Sequence, residues 1–150
     1  MTVVLQRAEF ARVIVDGEVV GEIGKGLLLL LGVAEGDTEA DCDSLARKIA
    51  TLRVFEGPGG KLDVSVQDEP GATGVLVVPN FTLCANTRRG RRPDFSPAAP
   101  PGLAERMFDR FVAQMQAAGV PTAKGVFGAH MHVELLNDGP VTLVLRSEGR

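Results

Sequence analysis

"GLLLLLGV", residues 26–33, is an unbroken apolar run of strand length. A strand with one wet face alternates apolar and polar side chains, so a run without alternation has to be covered on both faces. The run predicts a central strand with packing layers above and below it. The next stretch, "DTEADCDSLARKIATLRVF" (37–55), supplies one such layer. Thr38 followed three positions later by Asp41 marks a helix start, and Cys42, Leu45, Ile49 and Leu52 fall on one helical face. "GPGGK" (57–61) reads as a turn, and "GVLVVPNFTL" (74–83) as a second buried strand with an irregular end. Upstream, Val3, Leu5, Val13 and Val15 alternate toward Asp16-Gly17, with Val19 and Ile23 beyond, which is a hairpin pattern. Downstream, residues 85–101 are loop-like. Leu103, Met107, Phe111 and Met115, four apart, then mark a second helix closed by Gly119 and Pro121. "KGVFGAHMHVELLNDGPVTLVLRS" (124–147) supplies the last strands. With no internal repeat and no linker, the expectation is one α+β domain over residues 1–150. Its mainly antiparallel sheet would pack against two principal helices.

The length of 150 residues suits one domain with a substantial core, and 45% of residues are hydrophobic. No stretch reaches the roughly 20 apolar residues that cross a bilayer, so no membrane partner is expected. The opening "MTVVLQRAEF" lacks a basic start followed by an apolar run, so no secretion signal is expected. Cys42 and Cys84 make neither a disulfide framework nor a metal quartet, and a reducing cytoplasm is the expected location. The net charge of −3 does not advertise nucleic-acid binding by the whole surface. "RRGRRP" (88–93) is a local exception: Arg88, Arg89, Arg91 and Arg92 lie within five positions. Four guanidiniums so close repel one another unless an anion lies nearby, and Arg matches phosphate geometry. A solvated loop is the alternative.

Conventional catalytic signatures are missing. There is no Gly-x-Ser-x-Gly elbow, and Ser44, Ser65, Ser96 and Ser147 have no neighbouring signature. His130, His132 and Glu134 would share one strand face, a column that could hold a metal, but also what the wet face of a half-buried strand looks like, with Met131, Val133 and Leu135 inward. Cys84 has no base assigned to it by sequence. The glycines form neither a P-loop nor a dinucleotide fingerprint. No metal and no cofactor are expected. Two segments stay peculiar: "VVPNFTLC" (77–84) and "NDGPVT" (137–142) both put proline where a buried strand donates hydrogen bonds. Either each is a turn, or its freed backbone groups meet a ligand.

These residues resemble a known family. "LQRAEFARVIVDGEVVGEIGKGLLLLLGV" (5–33), "NFTLCANTRRGRRPDF" (80–95) and "FGAHMHVELLNDGPVT" (127–142) are similar, in order and separation, to segments of the homodimeric D-aminoacyl-tRNA deacylases of bacteria and eukaryotes. The resemblance runs nearly end to end. It implies a homodimer with active sites at the subunit interface. It also implies a cis Gly139-Pro140 peptide that reaches into the partner's site and holds the substrate's α-amino group with its carbonyls. An L side chain would then collide with main chain, while glycine would pass. N–H groups around Asn80, Phe81 and Thr82 would receive the developing oxyanion. Phe127, Ala129 and Met131 would line the substrate site, Pro79 would end the strand beneath it, and Arg7 would buttress the Gly-Pro segment. Arg88 to Arg92 would meet tRNA phosphates, and DNA is not an expected partner. Attack by water, assisted by the terminal ribose hydroxyl, is implied in preference to a Thr82 nucleophile.

The chain departs from that family at Pro79-Asn80, where Ser-Gln is usual, and at His130, where Asp is more frequent. An animal-type relative that edits L-alanine mischarged on tRNA also has proline at the first of these positions. Three readings therefore stand: hydrolysis of D-aminoacyl-tRNA, and of glycyl-tRNA with it; editing of mischarged L-alanyl-tRNA; or a non-catalytic nucleic-acid-binding module.

Overall fold

A computed structural model describes residues 1–147. Strand β1 (Thr2–Val15) turns at Asp16-Gly17 into β2 (Glu18–Ile23). Both turn residues have positive φ, 49° and 78°, which matches the right-handed twist of a two-residue hairpin. β3 (Gly26–Gly32) returns antiparallel to the first half of β1. Its Leu27, Leu29 and Leu31 enter one core with the helices, while Leu28 and Leu30 enter a second on the other face. The unbroken apolar run is thus a strand covered on both sides, as its pattern requires.

Helix α1 (Glu39–Thr51) begins at Thr38, whose hydroxyl accepts from the Asp41 N–H while the Asp41 carboxylate accepts from the Thr38 N–H. Cys42, Leu45 and Ile49 are buried, and Leu52 caps the C-terminus. A small hairpin, β4 (Arg53–Glu56) and β5 (Leu62–Ser65), closes through the 57–61 turn, where Gly57 N–H donates to Lys61 O at 2.9 Å. The chain then enters β6 (Gly74–Pro79), a short 3-10 turn (Phe81–Cys84), helix α2 (Pro101–Ala117), β7 (Thr122–Lys124) and β8 (His132–Arg146).

The sheet is mainly antiparallel, as expected, with a parallel part: β1 pairs antiparallel with β2, β3 and β8, whereas β3–β6 and β6–β7 are parallel. Each parallel step spans a helix-containing crossover, the connection that parallel neighbours need. Residues 137–140, for which a turn is one of two readings, lie within β8, which pairs with β1 on both sides of them; residues 138–141 have no partner in β1, the register skipping between Gln6↔Thr142 and Ala8↔Asn137. Proline is tolerated there because β8 pairs with β1 alone and is an edge strand. One expectation is corrected: His130 precedes the strand rather than lying in it.

The main sheet curls until β2 abuts β7, giving a nearly closed barrel. A Cβ on Gly21 would sit 2.6 Å from the Lys124 carbonyl oxygen, so only glycine permits this approach. Val13, Leu28, Leu76 and Val78 fill the enclosed side, with Met131, Val133 and Leu135 packed against them.

Candidate active site

β6 is buried from Gly74 to Val78 and loses its ladder at Pro79, which has no N–H to give. The next N–H, Asn80, still donates to Leu31 O of β3 at 2.8 Å. Asn80 stays extended (φ −147°, ψ 90°) and caps the 3-10 turn, its Oδ1 accepting from the Thr82 N–H at 3.1 Å and from the Thr82 hydroxyl. The turn packs on β3 because residue 32 is glycine: a Cβ there would lie 2.9 Å from Leu83 Cβ and 3.1 Å from Asn80 O.

Of the three main-chain donors expected to face an oxyanion, two are therefore committed within the fold. The Phe81 N–H, first in its turn, meets no acceptor among the described residues. Asn80 and Thr82 thus shape the turn, and the single available donor belongs to Phe81. The Thr82 hydroxyl donates to an amide oxygen, which is not a base that would activate it. Cys84 is no better as a nucleophile, because burial pushes its thiol up, with the Asp37 carboxylate adding to the shift.

Pro79 to Phe81 separate two lobes of one cleft. The inner lobe, about 300 Å³, has an apolar floor of Leu30, Val78, Met131 and Val133 beneath Ala129 and His130. The outer lobe, about 610 Å³, is lined by Phe81, Phe95, Phe127, Pro79 and Pro100, with Glu35 and Ser96 the polar groups. Phe81 is 57% exposed and meets Phe95 edge to face at a centroid distance of 5.2 Å. Phe127 is steadied by Phe108 at 6.4 Å. The loop carrying Phe127, Ala129 and Met131 is tied to β6 by Gly125 N–H to Val77 O at 2.8 Å.

Sequence motifs far apart in the chain, Pro79–Phe81 and 127–131, are thereby brought to one cleft. Gly139 and Pro140 are not in it. Val133 lines the inner lobe, and Gly139 lies six residues further along the same strand, roughly 20 Å away at the ordinary strand rise. The Gly139-Pro140 peptide is cis. The residue before it, Asp138, lines a separate cavity of about 290 Å³ with Arg7, Lys25 and Glu69. The Arg7 guanidinium is buried; Nε donates to Asp138 O at 3.2 Å and pairs with its carboxylate at 3.0 Å, while Nη1 donates to Val54 O at 2.9 Å. Arg88, Arg89, Arg91 and Arg92 are exposed on a loop pinched by mutual main-chain bonds between Asn86 and Asp94. Phe95 ties the base of that loop to the cleft.

The His130 and His132 rings lie 5.1 Å apart, tilted by 49°, and Glu134 is engaged by Arg12 at 2.8 Å and 2.9 Å, which holds its carboxyl below the usual range. Among the described residues, no three His, Cys, Asp or Glu side chains gather where a metal would need them. Sequence reading missed Phe95, Phe108 and the Asn80 cap. Only the spacing Asn-x-Thr hinted at the last, as an Asx-type bond.

A family profile described as D-Tyr-tRNA(Tyr) deacylase matches residues 4–146. The chain belongs to that family. As a D-Tyr-tRNA(Tyr) deacylase family member it is an enzyme, a deacylase. It is 52% identical over 147 residues to a D-aminoacyl-tRNA deacylase of Geobacter metallireducens, covering 98% of this chain and 96% of that one. It is 54% identical over 143 residues to the D-aminoacyl-tRNA deacylase of Ruegeria pomeroyi, covering 95% and 97%. Among solved structures, a c-Myc DNA unwinding element binding protein superposes with a TM-score of 0.90 at 39% identity, covering 98% and 99%. A probable eukaryotic D-amino acid tRNA deacylase superposes with a TM-score of 0.78 at 16% identity, over 97% and 99%, and shares the fold.

Proposed function

We propose that this deacylase hydrolyses the ester of D-aminoacyl-tRNA, and of glycyl-tRNA with it, as a proofreading step in translation. The observation that carries the proposal is the uncommitted Phe81 N–H at the ridge between the two lobes, in a site without a side-chain nucleophile and base in contact. Water attacks the ester carbon, and the carbonyl oxygen gathers negative charge against that donor. The bond to the terminal ribose then breaks, and the departing oxygen takes a proton, leaving a free amino acid and tRNA. The neighbouring ribose hydroxyl assists the attacking water. The aromatic outer lobe has the size and lining to stack the terminal nucleoside.

Chiral selection is assigned to Gly139 and Pro140 of a second copy of the chain. Within one protomer they lie too far from Phe81 to touch the same ester. β8 offers a route to a homodimer: its outer edge is unpaired, and Leu136, Leu143 and Val144 are 55%, 40% and 54% exposed. The Arg88–Arg92 loop, rooted at the cleft, meets acceptor-end phosphates. A cytoplasmic location belongs to the same proposal and is supported by two free thiols and a tRNA substrate.

The test is a panel of D-tyrosyl-, glycyl-, L-alanyl- and L-tyrosyl-tRNA. Loss of the D-tyrosyl and glycyl esters with the L-tyrosyl ester spared is the expected result. Rapid L-alanyl cleavage would instead favour the L-alanine editing reading suggested by Pro79. No cleavage at all would favour a non-catalytic nucleic-acid-binding module, a reading to which the neighbour named for binding a DNA element adds interest.

A further inference from the structure

The register of β8 against β1 skips where the Gly-Pro segment sits. From Gln6↔Thr142 to Ala8↔Asn137, β1 advances two residues and β8 advances five. No residue of β8 is registered opposite Arg7. The Asn137 side chain reaches across at this level: Nδ2 donates to Arg7 O at 2.9 Å and to Val141 O at 3.2 Å. Both neighbours are carbonyl oxygens, which accept only, so the amide's NH₂ end must face them. One side chain thus fastens residues 138–141 to the adjacent strand and to the segment's own far end. The other end of the amide lies beneath Gly139, where an added Cβ would stand 3.3 Å from Asn137 Oδ1. From the opposite side, Arg7 grips Asp138.

We propose that Asn137 is a positioning residue for chiral selection. It sets the height at which the Gly139 and Pro140 carbonyls are presented, and its Oδ1 leaves little room for a side chain at 139. This rests on the proposed function. It differs from the buttress role of Arg7, because Asn137 acts from within the inserted segment and spans both its margins. A methyl at 139 would push on Oδ1 and so loosen two hydrogen bonds at once. The steric cost of that methyl therefore depends on the side chain at 137.

The experiment uses the full chain and compares wild type, Asn137→Ala, Gly139→Ala and the double variant. Rates are measured on D-tyrosyl-, glycyl- and L-tyrosyl-tRNA, with hydrogen exchange followed across residues 137–142. Removing two partly buried hydrogen bonds predicts a fall of about 10- to 100-fold in kcat/KM for D-tyrosyl-tRNA in Asn137→Ala. The D-to-L ratio should narrow, a change that mere loss of stability would not produce. Exchange should rise at 138–141 with β3 unchanged, and Gly139→Ala should cost less in the Asn137→Ala background than in wild type. An Asn137→Ala protein that keeps rate, ratio and exchange within about twofold overturns the proposal; so does strict additivity of the two substitutions. If Asn137→Ala does not fold, Asn137→Asp, which keeps the shape without the donors, takes its place. Should wild type cleave none of the three esters, the functional reading fails, and the exchange data still decide whether Asn137 holds the segment.

Discussion

Replacing Phe81 by proline removes one hydrogen-bond donor and little else from the backbone. Phe81 is the first residue of its 3-10 turn, a position whose N–H lacks an internal partner and where proline fits. Asn80 before it is already extended, as the residue preceding a proline prefers. The aromatic ring is lost too, so the comparison is Phe81→Pro against Phe81→Ala, which loses the ring and keeps the N–H. Because the Asn80 and Thr82 N–H groups are spent on Leu31 O and Asn80 Oδ1, nothing adjacent takes over. Removing one oxyanion donor from such a site costs about 10²- to 10³-fold in kcat, or about 3–4 kcal/mol. The assay is single-turnover loss of D-tyrosyl ester at saturating enzyme, with melting curves showing that both variants fold. Equal rates for the two variants, within about threefold, would mean that the oxyanion is held elsewhere and that the reasoning is wrong.

Arg7→Met leaves the Asp138 carboxylate and the Val54 carbonyl without their buried partner; a loss of about 3 kcal/mol is expected, read as a melting temperature lower by about 6–12 °C. Changing Arg88, Arg89, Arg91 and Arg92 together to alanine should raise KM with kcat unchanged. It should also flatten the salt dependence of KM by about 0.7–0.9 log units for each phosphate no longer neutralised; an unchanged slope would remove the loop from tRNA binding. Asp43 holds Arg110 through two bonds of 2.8 Å that join α1 to α2, and that pairing keeps the Asp43 carboxyl below its ordinary value of 3.8. A lowered folded-state pKa stabilises fully above the unfolded value and is lost as pH falls through the folded one. Asp43→Asn should therefore melt below wild type at pH about 6, with the gap narrowing as pH falls below the ordinary carboxylate range; a gap that stays constant would show that the ion pair is not its source.

The layers of the fold were legible because they follow from local patterns. Gly26–Val33 announced a strand buried on both faces, Thr38–Asp41 a capped helix, and Asp16-Gly17 a hairpin. What was not legible depended on partners distant in sequence. A run of leucines does not say whether its neighbour runs parallel, and the β3–β6 pairing became clear only with the crossover through α1. Asn137-Asp138-Gly139-Pro140 reads locally as a turn, yet pairing with β1 on both sides carries the strand through it. At the site, the resemblance implied N–H donors around Asn80, Phe81 and Thr82, but hydrogen bonds to Leu31 and the Asn80 side chain engage two of them and leave that of Phe81. Phe95 was hidden in a loop whose composition gave no sign that its ring meets Phe81 edge to face at the cleft.

A crystal structure with a D-tyrosyl-adenosine analogue, its ester replaced by an amide, tests the central claim most directly. The account predicts the analogue's carbonyl oxygen within hydrogen-bond distance of the Phe81 nitrogen and its amino group on the Gly139 and Pro140 carbonyls of a second subunit. An analogue whose carbonyl is held by a side chain, or whose amino group is held within one protomer, would contradict it.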